Sequence, residues 1–214
     1  MIMINHLEAY NVANSGFFNK LTSYDELVYA ITEYGKSGAR GKREERMGAA
    51  YEVFAEFFLK RYGSEGLVGV NDVKDTSSNK FEKGVDFRAK DMNGEPCYVQ
   101  CKFRSNPFHQ FKEEELLTAI VVAYRNKIKM PKNLILFTNT SVVPFHSSYH
   151  DSAKEWRVFN RDMQESLIDV DPQFWPDFVT AMNVAKQPPV YVTAPPLRQY
   201  QQDAADACMK IINL

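Results

Sequence analysis

Gly84-Val85-Asp86-Phe87-Arg88-Ala89-Lys90, then Asp91-Met92-Asn93-Gly94-Glu95-Pro96, then Cys97-Tyr98-Val99-Gln100-Cys101-Lys102-Phe103 reads as a β-hairpin. Side chains alternate along a strand with period two, so Val85, Phe87 and Ala89 share one face and Asp86 and Arg88 the other. In the returning strand Cys97, Val99, Cys101 and Phe103 form the apolar set, and Tyr98, Gln100 and Lys102 the polar one. The Asn-Gly and Pro between them have the chemistry of a turn. With the apolar faces packed inward, Asp86, Gln100 and Lys102 converge on the opposite side. A carboxylate, an amide oxygen and an ammonium together suit a divalent cation and a phosphate.

Ahead of the hairpin, Thr22-Ser23-Tyr24-Asp25-Glu26 predicts a helix start, with a hydroxyl cap and acidic residues meeting the unpaired amides of the first turn. Leu27, Ala30 and Ile31 supply its apolar stripe, and Gly35 to Gly41 breaks it. A long helix follows from about Lys42 to Tyr62, because Met47, Tyr51, Phe54 and Phe58 recur at helical spacing; Gly63 ends it. Leu67 to Val73 reads as a short strand, and Asn71 to Lys83 as mostly turn or loop.

Beyond the hairpin a helix spans roughly Phe111 to Lys129. Glu113, Glu114 and Glu115 sit near its start and Arg125, Lys127 and Lys129 near its end, as the helix dipole favours. Leu134-Ile135-Leu136-Phe137 is a continuous apolar run, the signature of a strand covered on both faces. Strand, strand, helix, strand makes an α/β pattern around a mixed central sheet flanked by helices. Trp156 to Phe159 adds a short strand. Asp171-Pro172 reads as a cap with Pro at the first helical position, leading into Phe174 to Val184.

The bulk properties are permissive. A chain of 214 residues, 44% hydrophobic, can bury a core, and a net charge of -1 neither favours nor excludes DNA. Three cysteines without CxxC spacing fit a reducing cytosol, with Cys97 and Cys101 as small core residues. No apolar run approaches the ~20 residues a bilayer span needs. The start lacks a basic region followed by an apolar block, so no secretory signal is expected. His109, His146 and His150 lack metal-ligand spacing to an acidic partner. The basic run Lys36, Arg40, Lys42, Arg43 and Arg46 is either a solvated face or a phosphate contact, as are Arg104 and Asn106.

Phosphodiester hydrolysis needs an activated water and neutralisation of charge on phosphorus. Asp86 is the natural bridging ligand; Gln100 offers its amide oxygen, and the backbone carbonyl of Cys101 another. Lys102 orients water or steadies developing charge. A third acid comes from the long helix. Glu52 and Glu56 are four apart and share a face away from the apolar stripe, with Glu45 roughly on it too; of the two, Glu56 reads as a solvated helix-surface residue.

Gly48-Ala49-Ala50-Tyr51-Glu52 on a helix, then Gly84-Val85-Asp86, then Val99-Gln100-Cys101-Lys102 resembles the Mrr-like branch of the PD-(D/E)xK nucleases. In that branch Gln commonly stands where the superfamily has the Glu of E-x-K. The resemblance covers roughly Lys42 to Thr138. It implies a restriction-endonuclease-like core and Mg²⁺-dependent cleavage of double-stranded DNA, with Mn²⁺ as a substitute. It also implies Glu52, Asp86 and Gln100 as metal ligands, beside the Cys101 carbonyl read above, and Lys102 as the catalytic lysine. A nuclease with one site per chain often pairs two copies to cut both strands, so a homodimer is the expected assembly.

Pro196-Leu197-Arg198-Gln199-Tyr200-Gln201-Gln202-Asp203-Ala204 is similar to the L-R-x-Y-Q-x-x-A opening of superfamily 2 (DEAD/DEAH-type) helicases, where a Gln equivalent to Gln201 reads adenine. No G-x-x-x-x-G-K-[ST] phosphate loop is present, so ATP hydrolysis by this chain alone is not expected. The domain reading is residues 1–186 as nuclease (core about 42–140), 187–196 as a Pro-rich linker, and 197–214 as the start of a helicase-type domain. A final helix is predicted from about Leu197 to the terminus, with no stop signal, as expected where a chain continues. The combined expectation is the nuclease end of a cytoplasmic restriction or defence enzyme. The competing expectations are an inactive DNA-binding or docking module of the same fold, and a structure-specific repair nuclease.

Overall fold

The computed structural model describes residues 2–39, 41–76, 84–111, 115–126, 133–141 and 157–187. Its axis is the helix α3 (Arg43–Ser64), which follows α1 (Ala9–Asn14) and α2 (Tyr24–Lys36). The strands β1 (Val70–Asp75), β2 (Phe87–Asp91) and β3 (Pro96–Lys102) come next, then α4 (Leu117–Arg125) and β4 (Leu134–Thr138). The strand β5 (Arg157–Phe159) and the helices α5 (Arg161–Ile168) and α6 (Phe174–Ala185) complete the order.

The five strands lie in chain order in one mixed sheet. β2 is antiparallel to both β1 and β3, whereas β3, β4 and β5 run parallel. The carboxyl ends of β1, β3, β4 and β5 and the amino end of β2 therefore line one edge. Open α/β sheets bind ligands at such an edge.

Local chemistry explains the main elements. Ser23 caps α2 by accepting from the Glu26 amide at 3.2 Å, and the Glu26 carboxylate accepts from the Thr22 amide at 2.7 Å. In the hairpin turn Asp91 Oδ1 accepts from the amides of Asn93 and Glu95, and Gly94 takes a positive φ of 80° that side chains resist. Met47, Tyr51, Phe54 and Phe58 are all buried, as their spacing predicts. Phe54 meets Tyr24, Tyr51, Phe58, Phe137, Phe174, Trp175 and Phe178 at centroid distances between 5.8 and 6.4 Å. Burying such rings contributes roughly 1.5–3 kcal/mol each.

Phe87, Ala89, Cys97, Val99, Cys101 and Phe103 face this core. The other face holds a second cluster in which Val85, Tyr98, Leu134 and Leu136 pack against Leu116, Ala119, Val122 and Ala123. Double coverage explains the apolar run of β4: Ile135 and Phe137 join the first cluster, Leu134 and Leu136 the second. Among the described residues no helix is long and apolar enough to cross a membrane.

Several expectations are corrected. Val85 precedes β2 and belongs to the second cluster, so it does not share a face with Phe87. β1 extends to Asp75 with an irregular register between Asn71 and Lys74, so the loop expected from Asn71 begins later. Gly63 lies within α3, its missing side chain matching the Val70 carbonyl, which a Cβ would meet at 2.6 Å. Phe111 lies outside α4 and packs beneath it. Asp171 and Pro172 precede the α6 cap at Gln173, since Asp171 is spent on an ion pair with Arg61 at 2.6 Å. The helices α1 and α5 were not expected. The linker after 187, the helicase-like opening and His146 and His150 lie outside the described residues.

Candidate functional site

Asp86 stands at the amino end of β2, where the chain is already paired on both sides. Its amide donates to the Val99 carbonyl at 2.9 Å, and its carbonyl accepts from the Thr76 amide at 3.0 Å. Gly84 sets it there: a Cβ at that position would lie 2.5 Å from Thr118 Cγ2, so α4 approaches only because the side chain is absent. The carboxylate Oδ2 accepts from the Cys101 amide at 2.6 Å, tying Asp86 to the end of β3. Asp86 bonds through its amide to Val99, the residue already paired with Phe87, so the regular register does not continue through it.

The electrostatics link this carboxylate to the long helix. Burial raises the Asp86 pKa to about 7, and the neighbouring charge of Glu52 adds to it. The Cys101 amide, Lys102 and His6 oppose the rise. Two acids, one lysine and one histidine thus share a field. At the same edge Glu44, Gly48 and Glu52 of α3 and Cys101, Lys102 and Arg104 line a cleft of about 390 Å³. Asp86 and Gln100 do not line it; Asp86 reaches it through the Cys101 amide.

Arg104 is a fixed wall. Its guanidinium pairs with Glu115, donates to the Phe103 carbonyl at 3.0 Å and stacks 5.1 Å from the Phe111 ring. Asn139 clamps its backbone, accepting from the Arg104 amide at 2.7 Å and donating to its carbonyl at 2.8 Å. In the basic run Arg46 is also committed, lying 3.9 Å over the Tyr34 ring, and Lys36 pairs with Glu33 at 2.7 Å. His109 pairs with Glu115 at 3.1 Å.

Glu52 and Glu56 separate sharply. Glu56 is fully buried and not on a solvated face, which corrects the expectation for it. The amino-terminal segment covers that face: Glu56 accepts from the amides of Asn5 and His6 at 2.9 and 2.8 Å and pairs with Lys60 at 2.5 Å. Glu52 keeps 23% of its side chain exposed and lines the cleft. Its Oε2 meets His6 Nε2 at 2.9 Å. Burial disfavours the charged form of His6, yet the hydrogen bond and charge of Glu52, with Asp75 and Glu56, hold its pKa above the ordinary histidine value. Sequence reading missed His6, whose only signal is a lone histidine far along the chain from its partner.

Gln100 is 5% exposed, and its Oε1 has no hydrogen-bond partner among the described residues. A buried amide oxygen without a donor is costly unless something else satisfies it. Asp86 and Glu52, which feel each other's charge at the sheet edge, are oxygen donors of the kind Mg²⁺ takes, a hard cation bound through one or two carboxylates that keeps several of its own waters. Among the described residues no group of three His, Cys, Asp or Glu side chains is arranged to hold a metal. Comparison with known proteins returns no match among family models, curated proteins or solved structures.

Proposed function

We propose that this chain is a Mg²⁺-dependent endonuclease domain that hydrolyses phosphodiester bonds in double-stranded DNA. One observation supports it most. Glu52 from α3 and Lys102 from β3 line one cleft at the sheet edge, and the Asp86 carboxylate is tied to that cleft through the Cys101 amide.

In this reading Asp86, Glu52 and the Gln100 oxygen hold the metal, together with the Cys101 backbone carbonyl. When bound, the ion neutralises phosphate charge and lowers the pKa of a coordinated water. Lys102 donates to the phosphate oxygen or the attacking water, placing positive charge where negative charge develops. The Cys101 amide keeps Asp86 Oδ2 in place, and the Arg104 wall limits where the backbone of a nucleic acid can lie. The domain would serve a cytoplasmic restriction or defence enzyme, coupled to a helicase in the same parent chain and pairing with a second copy for double-strand cleavage.

Lys102→Ala tests this. The variant should fold and retain DNA binding in a gel shift, yet lose about 10²–10³-fold in Mg²⁺-dependent nicking of a supercoiled plasmid. Undiminished cleavage would remove this site. A second reading, an inactive docking module of the same fold, draws on the neutral amide at Gln100, which attracts a cation less than a carboxylate does. Calorimetric titration with Mn²⁺ separates the two, since only the enzyme requires a site that Asp86→Ala removes. A four-way junction cleaved faster than matched duplex would instead indicate a repair nuclease.

A further inference from the structure

Residues 3–6 are pinned across α3. Besides the Asn5 and His6 amides on Glu56, the Lys60 ammonium donates to the Met3 carbonyl at 3.0 Å and to Glu56. The clamp presents the His6 ring to Glu52, one turn earlier on the helix.

The ring orientation is defined at both nitrogens. Nδ1 accepts from the Glu8 amide at 3.2 Å, which leaves the proton of the neutral ring on Nε2. Nε2–H then donates to Glu52 Oε2 at 2.9 Å. The other carboxylate oxygen lies toward Gly48, where a Cβ would meet Oε1 at 3.9 Å and no other atom within 4 Å. Both Gly48 and Glu52 line the cleft. One oxygen of Glu52 is therefore fixed by a buried histidine and the other faces open space.

We propose that His6 is a positioning residue that holds Glu52 with Oε1 presented to a divalent cation where the cleft meets Asp86, beside the Cys101 amide. This rests on the nuclease reading above. A ligand whose rotamer is fixed in advance loses less freedom on binding, and partners of this kind typically affect metal affinity 10–100-fold. His6 touches no reacting atom in this arrangement; it acts only through Glu52.

The test is calorimetric titration of the 214-residue chain with Mn²⁺. His6→Phe should weaken the Asp86-dependent site about 10-fold or more, and His6→Gln, whose Nε2 can replace the ring donor, should restore it to within about 3-fold. In a Glu52→Gln background His6→Phe should change nothing further, an outcome that general loss of structure would not produce. Equal affinity of wild type and His6→Phe would overturn the proposal, as would an undiminished His6→Phe effect in the Glu52→Gln background. Wild type lacking any Asp86-dependent Mn²⁺ site would overturn the nuclease reading and this inference together. In the metal-free protein, ¹⁵N resonances of His6 should report the Nε2–H tautomer; the Nδ1–H form would overturn the geometry by itself.

Discussion

The aromatic core beneath α3 and the sheet edge beside it use the same elements under opposite rules. In the core, buried polar groups find partners. Gln164 is fully buried, accepts from Tyr24 and Tyr51 at 2.8 and 3.2 Å, and donates to the carbonyls of Thr138 and Phe159. At the edge, the Gln100 oxygen has no partner among the described residues and Asp86 sits beside Glu52. The core is arranged for stability. The edge gives stability up, since that buried amide oxygen and two neighbouring acids each cost free energy.

The contrast can be broken most forcefully by exchanging what each region governs. Phe54→Ala should cost about 3–5 kcal/mol of stability through the cavity it leaves among seven rings, measured by urea unfolding. Lys102→Ala should leave that unfolding curve nearly in place while removing cleavage. If Lys102→Ala unfolds the protein, the edge is structural and the comparison fails.

Glu56→Gln and Glu52→Gln sharpen it within a single helix. The first should cost about 1–3 kcal/mol, because two backbone amides and Lys60 lose their carboxylate, and hydrogen exchange at Asn5 and His6 should quicken. The second should stay within about 1 kcal/mol, as a partly exposed pair does.

Asp86→Asn should raise stability, with a sign fixed by pH. The folded pKa of about 7 lies above the ordinary carboxylate value of 3.8, so between them the folded chain holds a proton that the unfolded chain releases. Wild-type stability from this group therefore falls as pH rises through that window. Asparagine does not titrate, so its advantage should be small near pH 4 and level off above about pH 7, at about 2–4 °C in Tm per kcal/mol for a chain of this size. Thermal melts at both ends check it; an advantage that shrinks with rising pH would contradict the assignment.

Legibility in the sequence followed the range of the interaction. The α3 stripe, the α2 cap, the hairpin and the doubly covered β4 were readable because each depends on residues close in the chain. Asp86, Lys102 and Glu52 stood out in the sequence as candidates by residue type and spacing, and the structure places Glu52 and Lys102 on one cleft. Three things were not. Val85 changes face because regular pairing begins only at Phe87. Glu56 looked solvated because the segment that buries it comes from residues 3–6, and His6 gave no signal for the same reason. Gln100 looked exposed on a polar face, yet the second cluster covers that side of the sheet.

Alternation and helical spacing alone determined an α/β chain with a mixed sheet and placed acidic, amide and ammonium groups on neighbouring strands, because backbone geometry fixes which side chains share a face. Which carboxylate of α3 is clamped and which stays available was decided only in three dimensions. Burial depends on what covers a face, and here the cover arrives from some fifty residues away in the chain.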